Sequence, residues 1–153
     1  MYEAYSTPAF EEQYTYHGTD LGAIWTPAKT SFRLWAPTAE DVTINLYRSG
    51  TPSTDDLLTQ LHMEKDVQGT WVAERMSNLN GLYYTYLVLV DGHMVEACDP
   101  YAKSTGVNGQ RAMILDMEAT NPAGWDTDCD PNAGKKPTDA VLYELHVRDL
   151  SMH

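Results

Sequence analysis

The sequence predicts an all-β fold, an Ig-like β-sandwich over residues 23–117 of the 153. Three observations carry that prediction. Roughly seven short runs of branched and aromatic residues follow one another, with Gly, Pro, Asn and Asp turn signals every ~8–12 residues. Leu82 to Val90 (LYYTYLVLV) is apolar or aromatic on both faces, so it is the central strand. Asp91-Gly92 follows it as a hairpin turn, since both central positions of a type I′ turn need φ > 0, which Asp tolerates and Gly takes freely. No segment of helical period longer than a turn or two competes.

The elements follow in order. Residues 1–22 alternate Tyr2, Tyr5, Phe10, Tyr14 and Tyr16 with acids and small residues. So many aromatics do not suit a disordered tail, and the segment is expected to lie across the domain surface with little pairing. Phe32, Leu34 and Ala36 alternate with Arg33 and Trp35 in a strand that Pro37 ends. Val42, Ile44 and Leu46 alternate with Thr43, Asn45 and Tyr47 in a half-buried strand closed by Ser49-Gly50-Thr51-Pro52. Leu57, Thr59, Leu61 and Met63 recur at period two, which favours a strand over Leu57–Lys65 rather than a short helix. Gly69 turns the chain into a strand over 71–75, and Asn78-Leu79-Asn80-Gly81 is a further turn. His93–Cys98 returns antiparallel until Asp99-Pro100 breaks it, and Arg111–Asp116 is the last strand. Residues 118–140, with three prolines, two glycines and many short polar residues, read as a linker.

Beyond it, Val141 to Val147 is a short apolar run closed by Arg148, Asp149 and Ser151. That is the pattern of a strand buried on both faces, as in a parallel sheet. A parallel neighbour requires a crossover, which the few residues after Val147 cannot supply. A second fold is therefore expected to begin here, and the chain reads as a fragment.

The formal charge is −12, from 22 acidic against 10 basic residues. Nucleic acid and anionic membranes need a basic patch, so neither is an expected partner. No apolar run approaches the ~18 residues of a transmembrane helix. The N-terminus lacks the basic and apolar regions of a signal peptide, so a cytoplasmic location is expected; secretion or surface display stays open if the natural start lies upstream. Cys98 and Cys129 read as free thiols rather than a disulfide framework.

Chemistry-bearing motifs are few. Asp126, Asp128 and Asp130 have the odd-position spacing of a calcium loop, but Pro131 and Pro137 stand where it needs Gly and a bidentate Glu. His62, His93 and His146 are not at paired metal spacing. No nucleophile elbow, phosphate-cradling loop or Cys-x-x-Cys occurs, so no catalytic residue, metal or cofactor is assigned. Trp25, Trp35, Trp71 and Trp125 are the candidates for stacking on sugar rings. Trp35, mid-strand among apolar neighbours, is expected in the core, and Trp125 over a domain seam. Trp71, opening a strand after a turn, is open to either role.

Three blocks resemble type I pullulanases of the α-amylase superfamily, glycoside hydrolase family 13: FRLWAPTAEDVTINLY (32–47), LVDGHMVEACDPYAKSTGVNGQR (89–111) and AVLYELHVRDLS (140–151). The first two are similar to the early-set Ig-like domain of carbohydrate-binding module family 48, the third to the first strand of a (β/α)8 catalytic barrel. The resemblance implies a parent enzyme that hydrolyses α-1,6-glucosidic bonds in pullulan, starch or glycogen. It also implies that this part is inactive, because the paired catalytic carboxylates come from later barrel strands. Trp71, from its place after a turn, and His93 and Met94, at the place the resemblance gives to a binding residue, are the candidate carbohydrate-binding residues. The resemblance points to Asp99, Tyr101, Lys103, Asn108 and Arg111 as contacts to the barrel. Relatives that bind glucan carry a tryptophan just after the Asp-Gly turn; here the sequence is His93-Met94-Val95, so a barrel-supporting role with weak glucan binding is expected. Expected partners are α-glucan through the full enzyme, the barrel, and a second copy through the apolar tail. The rival readings are a free-standing Ig-like glycan-binding or adhesion module, and the same domain of a branching enzyme or isoamylase.

Overall fold

The computed structural model describes residues 5–52 and 55–152; Tyr2 of the aromatic N-terminal segment and His153 of the tail lie outside them. The chain divides into two compact units, Met1–Ala119 and Thr120–His153.

The first unit is an Ig-like sandwich of two antiparallel sheets. One has the order β1 (Gly22–Trp25), β2 (Thr30–Trp35), β6 (Thr70–Arg75), β5 (Glu64–Lys65). The other has the order β4 (Leu57–His62), β3 (Asp41–Tyr47), β7 (Tyr83–Val90), β8 (His93–Ala97), with β9 (Ala112–Met113) also paired to β7. Strand β7 is central, as its two-faced apolar pattern requires. Asp91 and Gly92 at its end have φ of 50° and 72°, both in the left-handed region that the hairpin turn demands.

Alternation places the core. Phe32 and Leu34 of β2 face Val42, Ile44 and Leu46 of β3 and Tyr84 and Tyr86 of β7, all buried. Tyr84 meets Phe32 edge to face at 5.3 Å and Tyr86 likewise at 5.7 Å. Ring pairs of this kind contribute roughly 0.5–1.5 kcal/mol beyond their buried area.

In this unit several sequence expectations change, one of them the last strand, which spans only β9 rather than Arg111–Asp116. Leu57–Lys65 is not one strand: the chain leaves one sheet after His62 and joins the other at Glu64. Buried Met63 makes the crossing, its amide donating to the Val42 carbonyl at 2.9 Å. Trp35 is not in the core, because β2 alternation turns it outward with Arg33 and leaves it 38 % exposed. The N-terminal segment contains a helix, α1 (Pro8–Tyr14), started by Thr7, whose hydroxyl accepts from the Phe10 amide, with Pro8 in the first turn. Strand β1 arises from Gly22–Trp25, which the sequence pattern left unassigned.

In the second unit, residues 120–140 are turns and short 3₁₀ segments, and Trp125 is exposed. The strand expected over Val141–Val147 has no ladder partner among the described residues. Residues 140–146 carry no regular structure, and Val147–Ser151 forms the short helix α2. A strand is held by its neighbours' hydrogen bonds, and without them the polar end closes a local helical turn instead. No helix among the described residues is long and apolar enough to cross a membrane.

Candidate functional site

Tyr47, Thr85 and Glu96 of the five-stranded sheet, together with Pro52, Asp55 and Asp56 from one loop and Gly109, Gln110 and Arg111 from another, line a cleft of about 810 Å³. Register lays out the floor of this sheet face. Asn45 of β3 pairs across with Gln60 of β4 and Thr85 of β7, and all three point away from the core. Tyr47 lies two residues on, and Glu96 of β8 stands on the same face.

Glu96 is the node of this floor. Its Oε1 accepts from the Tyr47 hydroxyl at 2.5 Å, from Asn45 Nδ2 at 3.1 Å and from the Thr85 hydroxyl. Gln60 Nε2 donates to Asn45 Oδ1 at 2.8 Å and extends the row. Burial pushes the Glu96 carboxyl up, but these three donors, with the charge of Arg111, outweigh it and hold the group below its ordinary value. The carboxylate is fixed and ionised.

Arg111 closes the wall. Its guanidinium donates to the Ser49 carbonyl at 2.6 Å and to Asp56 Oδ1 at 2.8 Å, and its carbon lies 3.6 Å from the centroid of the Tyr47 ring. The other Asp56 oxygen accepts from the Ser49 amide. Cys98 also lines the cleft, and burial pushes its thiol up, away from reactivity.

The sequence candidates divide sharply. Trp71 belongs to the other sheet and is 4 % exposed; its indole N–H donates to the Ala36 carbonyl at 3.0 Å, and Lys65 Nζ covers its ring at 5.1 Å. It is a core residue with no free face for a sugar. Met94 is 52 % exposed on the same face as Glu96, while His93 alternates to the opposite face of β8. Asp99 and Arg111 are buried, at 4 % and 6 % exposure, and their charges are satisfied inside the sandwich rather than offered outward. Asp99 accepts from the hydroxyls of Tyr84 (2.6 Å) and Tyr86 (3.4 Å) and from the Tyr101 amide (2.8 Å). Tyr101, Lys103 and Asn108 are exposed. Trp25 is half-buried, its indole N–H donating to Asn78 Oδ1 at 2.9 Å.

The node itself, Tyr47, Asn45, Thr85 and Glu96, was not singled out by sequence reasoning. Its signal was the parity of β3, where Asn45 and Tyr47 alternate with Ile44 and Leu46, together with one acid in an otherwise apolar return strand. Among the described residues no group of three or more His, Cys, Asp or Glu side chains is placed to hold a metal ion.

A family model described as carbohydrate-binding module 48 (isoamylase N-terminal domain) matches residues 20–102, the stretch that builds strands β1 to β8 and the turn after them. The chain belongs to the carbohydrate-binding module 48 family. Among curated proteins the module is similar to pullulanase 1, chloroplastic, of Arabidopsis thaliana, 35% identical over 92% of this chain and 15% of that protein. It is also 30% identical to the pullulanase of Bacillus subtilis, over 96% of this chain and 19% of that protein. Among solved structures it is similar to a mutant pullulanase from Paenibacillus barengoltzii complexed with maltotriose. That likeness has a TM-score of 0.88 and 49% identity, and it covers 97% of this chain and 22% of that one. The chain thus spans less than a quarter of the length of these relatives.

Proposed function

We propose that this chain is the N-terminal accessory region of an α-glucan debranching enzyme of pullulanase type. In this reading the sandwich supports a catalytic (β/α)8 barrel and itself holds α-glucan weakly. One observation carries the proposal: likeness to pullulanases runs over 97% of the chain, well past the matched module and into the region of Val141–Arg148. The free-standing binding module has no reason to share that continuation.

The cleft supports the weak-binding half. Sugar modules stack a flat aromatic face against the ring of the sugar. On this sheet face Met94 is the large exposed side chain of β8, and the Tyr47 ring is covered by Arg111. Hydrolysis with retention needs one carboxylate as nucleophile and another as acid, roughly 5–5.5 Å apart. Of the three acids lining the cleft, Asp56 is paired with Arg111 and Glu96 accepts three hydrogen bonds, so Asp55 has no second free carboxylate beside it to complete the pair.

Exposed Tyr101, Lys103 and Asn108 are proposed as contacts to the barrel, and the segment 141–147 as its first strand. The test is a chimera. In the Paenibacillus barengoltzii pullulanase, the matching N-terminal segment is either deleted or replaced by this chain. The replacement is expected to retain pullulan hydrolysis and thermal stability that the deletion loses. Equal activity and stability of the deletion and the unaltered enzyme would refute a supporting role.

A further inference from the structure

We propose that Arg111 occupies the sugar-stacking position of the cleft, and that by covering the Tyr47 ring it limits the module's affinity for α-glucan. The inference rests on α-glucan being the ligand class of this face, and it names the side chain that limits affinity.

The ring is otherwise well placed for stacking. Tyr47 lines the cleft, and its hydroxyl is pinned to Glu96 at 2.5 Å, so the ring plane is fixed. Glu96 beside it is a preorganised acceptor of the kind that sugar hydroxyls use. A fixed aromatic face next to a placed polar group is the arrangement by which small-molecule pockets hold and orient a ligand. Here the guanidinium carbon is 3.6 Å from the ring centroid, which is van der Waals contact and leaves no room for a sugar between them.

Arg111 does not leave readily. Its ion pair with Asp56 (2.8 Å) and its bond to the Ser49 carbonyl (2.6 Å) hold it from behind, and its side chain is 7 % exposed. The flat guanidinium matches the ring in a way an ammonium does not. The platform exists, and the protein has filled it with its own side chain.

The experiment removes the filler without stranding a charge: Arg111→Ala with Asp56→Asn. Titration calorimetry with maltohexaose compares the wild type, this double variant, and the double variant carrying Tyr47→Ala as well, each checked for folding by circular dichroism. The double variant is expected to bind about tenfold more tightly than wild type, and the gain is expected to vanish without the Tyr47 ring. A folded double variant with unchanged affinity overturns the proposal, as does a gain that survives Tyr47→Ala. Should the double variant not fold, Arg111→Lys decides, since lysine keeps the ion pair with Asp56 but lays no flat plate on the ring. A gain of about twofold or more supports the proposal, and unchanged affinity overturns it. Wild-type affinity alone reads the accessory-domain proposal, whereas the variant-to-wild-type ratio reads the role of Arg111. Micromolar binding by the wild type, with Arg111 in place, would refute both.

Discussion

Gly50 and Gly106 meet backbone to backbone: a methyl group on Gly106 would stand 2.5 Å from both the Cα and the carbonyl oxygen of Gly50. This contact joins the two loops that wall the cleft, and the Val107 amide, donating to the Gly50 carbonyl at 3.0 Å, locks it. Gly106→Ala is therefore expected to push the loops apart and destabilise the sandwich by about 1–3 kcal/mol, the usual range for overpacking. Urea unfolding measures it, and an unchanged midpoint would show that the seam yields freely.

Asp99 carries a pH signature. Burial pushes its carboxyl above its ordinary value, although bonds from Tyr84, the Tyr101 amide and Tyr86 oppose that rise. The native state therefore binds more protons at this site than the unfolded chain does. Its contribution is full below the ordinary aspartate value and is lost as pH rises through the folded value. Two acids that pair with Arg33 run the other way: the Tyr16 hydroxyl and Arg33 hold Asp20 low, and Arg33 holds Asp66 low. Their contributions are lost as pH falls through their folded values. Asp99→Asn removes one titration and leaves the others, so the melting temperature of the variant minus that of wild type is expected to climb from about pH 4 toward neutrality. A difference that falls with pH would contradict this sign.

Trp35 holds the N-terminal segment through one bond, its indole N–H donating to the Tyr14 carbonyl at 2.7 Å. Trp35→Phe keeps a ring there and deletes the donor, a loss of roughly 0.5–1.5 kcal/mol. Amide exchange over residues 7–15 is expected to accelerate while β3 and β7 stay protected. Uniform acceleration would mean that the segment is integral to the sandwich.

The apolar segment of the second unit predicts self-association. Val141 and Leu142 are 94 % and 95 % exposed, and residues 140–146 have no ladder partner among the described residues. An unpaired apolar strand former is a template for another chain. In the isolated chain, deletion of 141–153 is expected to abolish any dimer while the sandwich still melts cooperatively. Light scattering that finds the same dimer mass with and without these residues would place the interface elsewhere.

Much of the sandwich could be read from local chemistry. The Asp91-Gly92 turn and the central β7 each depend on residues adjacent in sequence, and each has the expected geometry; β3 forms where expected, but Asn45 and Tyr47 on its outward face are buried too, so it is not the half-buried strand its alternation suggests. Features set by tertiary context were harder to see. The sheet change at Met63 breaks a period-two pattern that continues unbroken through the sequence. Helix α1 spans seven residues, too few for a periodicity, and only Thr7-Pro8 with Glu11 announces it. Trp35 shows how alternation and composition can disagree: its neighbours suggested the core, and parity with Arg33 turned it out. The cleft is assembled from positions that include 47, 56, 85, 96 and 111, which no spacing rule connects. Asp99 and Arg111 were singled out as outward contacts because buried charges that tie loops together carry no sequence mark distinguishing them from surface ones.

The proposal that this module binds glucan only weakly is tested most directly by affinity electrophoresis of the wild type in gels containing pullulan or glycogen. Mobility almost equal to that in a glucan-free gel is expected, corresponding to millimolar or weaker affinity, since Tyr47, the aromatic ring that lines the cleft, is covered by Arg111. Strong retardation that Met94→Ala abolishes while the melting temperature stays unchanged would contradict it, and would make this face a glucan-binding site in its own right.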